Sequence, residues 1–355
     1  MKSVGHRGLV AIVAVAVLTV GGCGDPALMH APSTAPSTAP SRSPAGIPVP
    51  ASIDATGTTD ASAALVSFVA TVPDGSTIVF KAGGVYRMDT GLRFSNRHDL
   101  TFDGNGATLK SNGVSACARD CSLFYLREDN TRITIRNFTL VGNSPTPGIY
   151  SENWGQASAI TIVGGGDVEI ANVTVSGVGG DGLTLSGVAP YWPDGISFHD
   201  SHVVSSGRMG IAVVAGRNVT VERVTFFLSG YGVFDIEPND TTQGASNVKF
   251  LNNTVGTVNQ VRGKAFFFGA NGAVGSSVSD VLVSGNTVTG ASLDSYVNAT
   301  RRQTIIFTNN TSAVPAAGPV LEFAHVDGLT VTGNVQPLTS GVLASITDCT
   351  GVTSQ

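Results

Sequence analysis

Residues 231–240, Tyr-Gly-Val-Phe-Asp-Ile-Glu-Pro-Asn-Asp, carry the carboxyl pair of this chain best spaced to act together. Asp235 and Glu237 are two apart in a strand-like phrase, so both leave one face while Phe234 and Ile236 leave the other. Two residues of strand rise separate the acids by about 6–7 Å. Carboxyl groups about 5–5.5 Å or about 6.5–9.5 Å apart can cleave an acetal, one protonating the leaving oxygen while the other attacks or activates water. Alternatively, one carboxylate can act as base at the carbon α to a substrate carboxylate. That reaction needs a cation (Arg, Lys or Ca²⁺) to neutralise the substrate charge.

Cations stand in matching phrases. Gly207-Arg208-Met209-Gly210-Ile211 and Gly180-Asp181-Gly182-Leu183 share the glycine–apolar pattern of Gly232-Val233, and Lys264 opens a later one. Superposing these phrases brings Asp181, Arg208 and Lys264 to the edge that holds Tyr231. Asp235 or Glu237 would then be the base, Arg208 the charge partner, and Asn239 an amide at the turn for the substrate. The plainer reading is surface charge at strand starts, with the acids binding water or a structural cation at a corner. Aromatic residues cluster in two insertions, 148–156 and 188–195, which hold Tyr150, Trp154, Tyr191 and Trp192, including both tryptophans of the chain. Exposed rings of this kind offer flat apolar faces to sugars. His199 and His202 are three apart and could exchange protons, but a histidine on a solvated strand face usually does not. No His/Asp/Glu grouping has metal-site spacing, so no metal site is assigned, and Ca²⁺ stays open as substrate counter-ion or structural cation.

The element that must position these residues is a repeat. Eight phrases alternate apolar and polar residues before an Asn, Asp or Gly: 133–140, 168–175, 196–203, 219–226, 248–255, 281–288, 305–312 and 329–336. Alternation buries one face of a strand. Asn137, Asn172, Asp200, Asn252, Gly285, Asn309 and Gly333 take the bend position, where left-handed backbone is tolerated and stacked side chains would form an amide ladder. A second strand lies between copies, at 158–164, 181–187, 209–216, 231–237 and 264–270. Strands recurring in coils of about 23 residues describe a parallel β-helix of about nine to ten coils. Residues 60–72 read as a capping helix with Ala64, Leu65, Phe68 and Val69 on one face. The Phe266-Phe267-Phe268 run reads as core.

The stretch from Asp54 to Asp60, the helix, Gly75-Ser76-Thr77-Ile78-Val79-Phe80 and Gly84-Val85-Tyr86 together resemble the N-terminal cap of the pectate-lyase-like superfamily. The resemblance covers about residues 50–350 and implies an all-β, right-handed, single-stranded parallel β-helix. The superfamily hosts lyases, hydrolases, epimerases and non-catalytic surface proteins, so it leaves the activity open. Residues 231–239 are also similar to a segment recurring in bacterial β-helix proteins of polysaccharide-active families. The polygalacturonase and alginate-epimerase motif sets are absent.

The N-terminus reads as an address. Lys2, His6 and Arg7 precede an apolar run from Leu9 to Val20, too short to span a bilayer. Val20-Gly21-Gly22-Cys23 resembles a bacterial lipobox, which implies a signal peptide at 1–22 and lipid on Cys23. Residues 23–50, rich in Pro, Ser and Thr, form an extended spacer, and 51–355 the β-helix. Export makes Cys117 and Cys121 a candidate loop disulfide and leaves Cys349 as a buried small hydrophobe. The formal charge is −5 with no Lys/Arg run, which argues against nucleic acid. The expected partner is therefore an extracytoplasmic polysaccharide, met by an enzyme (lyase, hydrolase or epimerase of a uronic-acid chain) or by a non-catalytic glycan-binding or envelope protein.

Overall fold

The computed structural model describes residues 46–112, 122–259, 265–268, 276–291, 293, 295–296 and 300–355. Its strands pair in parallel into three long sheets, visited in turn by the winding chain. Sheet 1 has twelve strands, from Ile47–Pro48 to Thr353–Ser354. Sheets 2 and 3 have ten each, from Thr56–Asp60 to Thr311–Ser312 and from Leu92–Ser95 to Ala344–Thr347. Among the described residues the protein is all-β apart from one helix: a parallel β-helix.

The repeat sets the register. Ile133, Val168, Ile196, Val219, Val248, Val281, Ile305 and Leu329, the first residues of the eight phrases, pair rung to rung down sheet 1. All are buried. A slip of one residue would turn every one of them to solvent, so burial itself selects this register. Phenylalanines fill the interior behind them: Phe250 stacks on Phe226 at 5.5 Å and on Phe234 at 4.8 Å.

Every expected bend residue does adopt positive φ, from Asp200 at 48° to Gly285 at 69°, and Arg223 joins them at 53°. The amide ladder, however, is built one residue later than expected. A left-handed residue throws its own side chain outward and turns the next one in, so the ladder is Asn253, Asn286, Asn310 and Asn334. Asn286 accepts from the Asn253 amide at 2.9 Å and donates to Asn310 Oδ1 at 2.8 Å and to the Phe250 carbonyl at 3.0 Å. Asn286→Ala leaves buried partners on both sides unpaired and is expected to cost about 2–4 kcal/mol in urea unfolding. A loss below about 1 kcal/mol would show the ladder to be incidental.

The cap is the helix Ser62–Thr71, shorter than expected. Leu65 and Val69 are buried against the first coil, Phe68 is half-buried and Ala64 is exposed, with Ala61 and Ser62 buried in its stead. Asp60 accepts from the backbone and hydroxyl of Ser62 at 3.0 and 2.6 Å. Among the described residues strand pairing begins at Ile47, inside the stretch assigned to the spacer, because Ile47 and Pro48 extend sheet 1 beyond Ile78 and Val79. Cys349 is a free thiol, half-buried at the last coil.

Candidate functional site

Sheet 3 presents its outward face along the column Thr161, Thr184, Ala212, Asp235, Phe267, one residue per rung. Neighbouring strands lie about 4.8 Å apart, so side chains on successive rungs touch. Asp235 stands near the end of strand Gly232–Ile236, with Phe234 and Ile236 in the core as the alternation requires. Glu237 follows on the same face, its backbone N–H held by the Val213 carbonyl at 2.9 Å.

The rungs before bring the other charges in. Arg208 pairs with Glu237 and lies 3.6 Å from Asp181 Oδ2 through Nη1. Asp181 is further fixed by the Met209 N–H at 3.0 Å and the Thr184 hydroxyl at 2.8 Å. Three acids and one guanidinium thus share one patch across three rungs, with Asp181 only 1 %, Asp235 5 % and Glu237 8 % exposed. Burial is the main reason that the Asp235 carboxyl is pushed up to about 8; Arg208 opposes this and Asp181 adds to it. The charge of Asp181 is the largest cause holding the Arg208 guanidinium firmly protonated, against burial and with help from Asp235, Tyr150 and Tyr231.

Aromatic rings edge the patch. Tyr150 meets Tyr231 edge-on at 5.6 Å, and Tyr231 stacks on Phe267 at 6.0 Å. Phe267 packs with Met209 and Ala212, which corrects its reading as core: Phe266 and Phe268 face the interior and the residue between them must face out. Tyr150 arrives on an insertion between sheets 2 and 3 that travels along the solenoid. Gly148 accepts from Asn259 Nδ2 at 3.2 Å, and the Tyr150 backbone lies flush against Gly230. A Cβ on Gly230 would stand 2.1 Å from the Gly207 carbonyl and 2.8 Å from Tyr150 N, so glycine makes this seat. Trp154, on the same insertion, lies flush on Gly179 in the same way.

The second insertion joins sheet 3 to sheet 1, so the two flank opposite edges of sheet 3. Trp192 donates Nε1–H to the Thr242 carbonyl at 2.8 Å, while Tyr191 is 63 % exposed. Asn239 is exposed in the turn after Glu237, its N–H donated to Gln243 Oε1 at 2.6 Å. His199 pairs with Glu169 and Asp200 on the outer side of sheet 1, away from the patch, and His202 is exposed on sheet 2. Lys264, Cys23, Cys117 and Cys121 lie outside the described residues. Among the described residues no group of three or more His, Cys, Asp or Glu is arranged to hold a metal.

The structure therefore brings together Asp181, Arg208, Asp235, Glu237, Tyr231 and Tyr150. Ser158, Thr184, Met209 and Phe267 also belong to the patch, and none of the four is assigned to it by the sequence reading. Aligning the sheet 3 phrases would have found Thr184 and Phe267, because both share the outward column of Asp235.

No curated protein matches the chain. Among solved structures it is similar to the Dettilon tailspike protein, at 16 % identity and a TM-score of 0.53, covering 84 % of this chain and 62 % of the tailspike. It is also similar to a polygalacturonase from Erwinia carotovora ssp. carotovora, at 14 % identity and a TM-score of 0.53, covering 89 % of this chain and 99 % of the enzyme. The chain spans less than two thirds of the tailspike, and at these identities both likenesses are of fold. The family described as right handed beta helix region matches residues 122–312, which hold the whole patch. With more than half of its length matched, this chain belongs to the right-handed β-helix family.

Proposed function

We propose that the protein is exported, held at a membrane through lipid on Cys23, and acts on an extracellular polysaccharide at the patch of Asp181, Arg208, Asp235 and Glu237. One observation carries the reading. Asp235 keeps its proton near neutral pH while Glu237, beside it on the same face, is paired with Arg208. A protonated acid beside a second carboxyl group held by a guanidinium is a pair of the kind that glycoside hydrolysis uses. Asp235 is the general acid in this reading, Glu237 the base or nucleophile, and Tyr150 and Tyr231 the sugar-facing rings. The fold shared with a polygalacturonase and a tailspike fits a long polymer laid along sheet 3. Lyase or epimerase action on a uronic-acid chain needs an ionised base and an available cation. Arg208 is already engaged by Glu237 and Asp181, so that chemistry would draw on Lys264 or Ca²⁺.

The test is a screen of the purified protein against uronic-acid and neutral polysaccharides, with and without Ca²⁺, following reducing ends and the ultraviolet absorbance of unsaturated products. New reducing ends without unsaturation are expected. Their rate should fall about 10²–10⁴-fold in Asp235→Asn, the usual loss for a general acid. The near-complete burial of the three acids favours a second reading, a non-catalytic glycan-binding or envelope structural lipoprotein in which the cluster ties coil to coil. Intact substrates, with glycan bound equally by the Asp235→Asn/Glu237→Gln variant, would decide for it.

Anchoring has its own test. Cys23→Ala is expected to move the protein from the membrane to the soluble fraction and to abolish incorporation of labelled fatty acid. Continued membrane retention without label would remove the lipid anchor from the proposal.

A further inference from the structure

Asp181 sits in a closed ring of hydrogen bonds. Its own N–H donates to Ser158 Oγ at 3.1 Å, and Thr184 Oγ1 donates to its Oδ2 at 2.8 Å. The third side, between Ser158 Oγ and Thr184 Oγ1, is 2.9 Å long. Thr184 has one hydroxyl proton and gives it to Asp181, so Ser158 must be the donor to Thr184. Every proton in the ring then has one direction. The Met209 N–H takes the remaining oxygen, Oδ1, at 3.0 Å, which ties the ring to the rung that carries Arg208. Both oxygens of Asp181 are acceptors, and Oδ2 is the one facing Arg208 Nη1 at 3.6 Å.

We propose that Thr184 and Ser158 are positioning residues: their hydroxyls hold Asp181 turned toward Arg208 and so set how Arg208 divides its charge between Glu237 and Asp235. The inference deepens the hydrolytic reading and rests on it for its catalytic meaning. The balance is local. Among the described residues the charged groups around Asp235 are Arg208 and Asp181 from preceding rungs and Glu237 from its own rung. The Tyr150 and Tyr231 rings face Arg208 from the insertion and from the Asp235 rung. On the flanking rungs the register neighbours Ala212 and Phe267 are uncharged. Burial screens these charges little, so a small rotation of Asp181 is felt at Asp235. Thr184 lies in the strand Leu183–Ser186 and Ser158 two residues before the strand Ile160–Val163, so the two hydroxyls are 26 residues apart in sequence and meet only through the stacking of the rungs.

The experiment reads Asp235 itself, by carbon NMR of its labelled carboxyl through a pH titration without substrate. Thr184→Val frees Asp181 to turn away from Arg208, and the proton affinity of Asp235 is expected to fall about tenfold, one pH unit. Ser158→Ala should move it the same way, and Thr184→Ser, which keeps the hydroxyl, should restore the parent curve. Asp181→Asn sets the full size of the effect. If Asp181→Asn moves the titration while folded Thr184→Val and Ser158→Ala leave it in place, the positioning role is overturned. If the titrations behave as expected but no polysaccharide is cut, the hydrolytic reading falls and the positioning of Asp181 stands.

Discussion

Replacing Asp235 with Asn is expected to make the protein more stable than its parent in alkaline solution and to leave the two nearly equal near pH 4. The sign follows from proton linkage. In the fold the carboxyl holds its proton up to about pH 8, whereas in the unfolded chain it releases it near 3.8. Between these values the unfolded state binds fewer protons, so the parent loses stability as pH rises, by at most about 1.4 kcal/mol per pH unit. Above about 8 both states are ionised and the loss is complete. Asn has no proton to release and escapes the whole penalty. Urea unfolding of both proteins at pH 5, 7 and 9 checks this. A stability difference that does not change with pH would mean that Asp235 is ionised in the fold and accommodated there. In the same range, any hydrolytic activity should decline as pH passes about 8, because the acid has then lost its proton.

Arg208→Met should have the opposite effect on the fold. Arg208 is the one described cation in contact with Glu237 and Asp181, both nearly inaccessible to water. Removing one partner of a buried ion cluster leaves uncompensated charge and costs about 3–5 kcal/mol. The double change Arg208→Met/Glu237→Gln should recover part of the loss, since residues in one network are not additive. Chemical unfolding of the parent, Arg208→Met, Glu237→Gln and the double variant measures the coupling. A loss under about 1 kcal/mol for Arg208→Met would show the cluster to be solvated and the pairing weak.

These two expectations separate what was legible in the residues from what was not. The phrases starting at Ile133, Val168 and Ile196 could be aligned by eye, and the fold stacks those same residues. Period-2 alternation and a left-handed bend are local properties, written in one strand and its neighbours. Asp235 and Glu237 could be placed on one face for the same reason. Phe267 could not be told from Phe266 and Phe268 by composition; alignment of its phrase with that of Asp235 is what sets it on the outward face. The bend amides were misplaced by one residue, because the direction of a side chain after a positive φ is a matter of backbone geometry.

The winding of the chain, its register, its capped end and the shared face of two acids are all written in the order of residues, because each depends on contacts within one coil or between equivalent residues of adjacent coils. Stacking the coils is what engages Arg208 with Glu237 and Asp181, dries Asp235 enough to keep its proton, and brings Tyr150 to rest beside Tyr231. Those features depend on how far an insertion travels along the solenoid and on how much water it leaves behind, and no repeat encodes either.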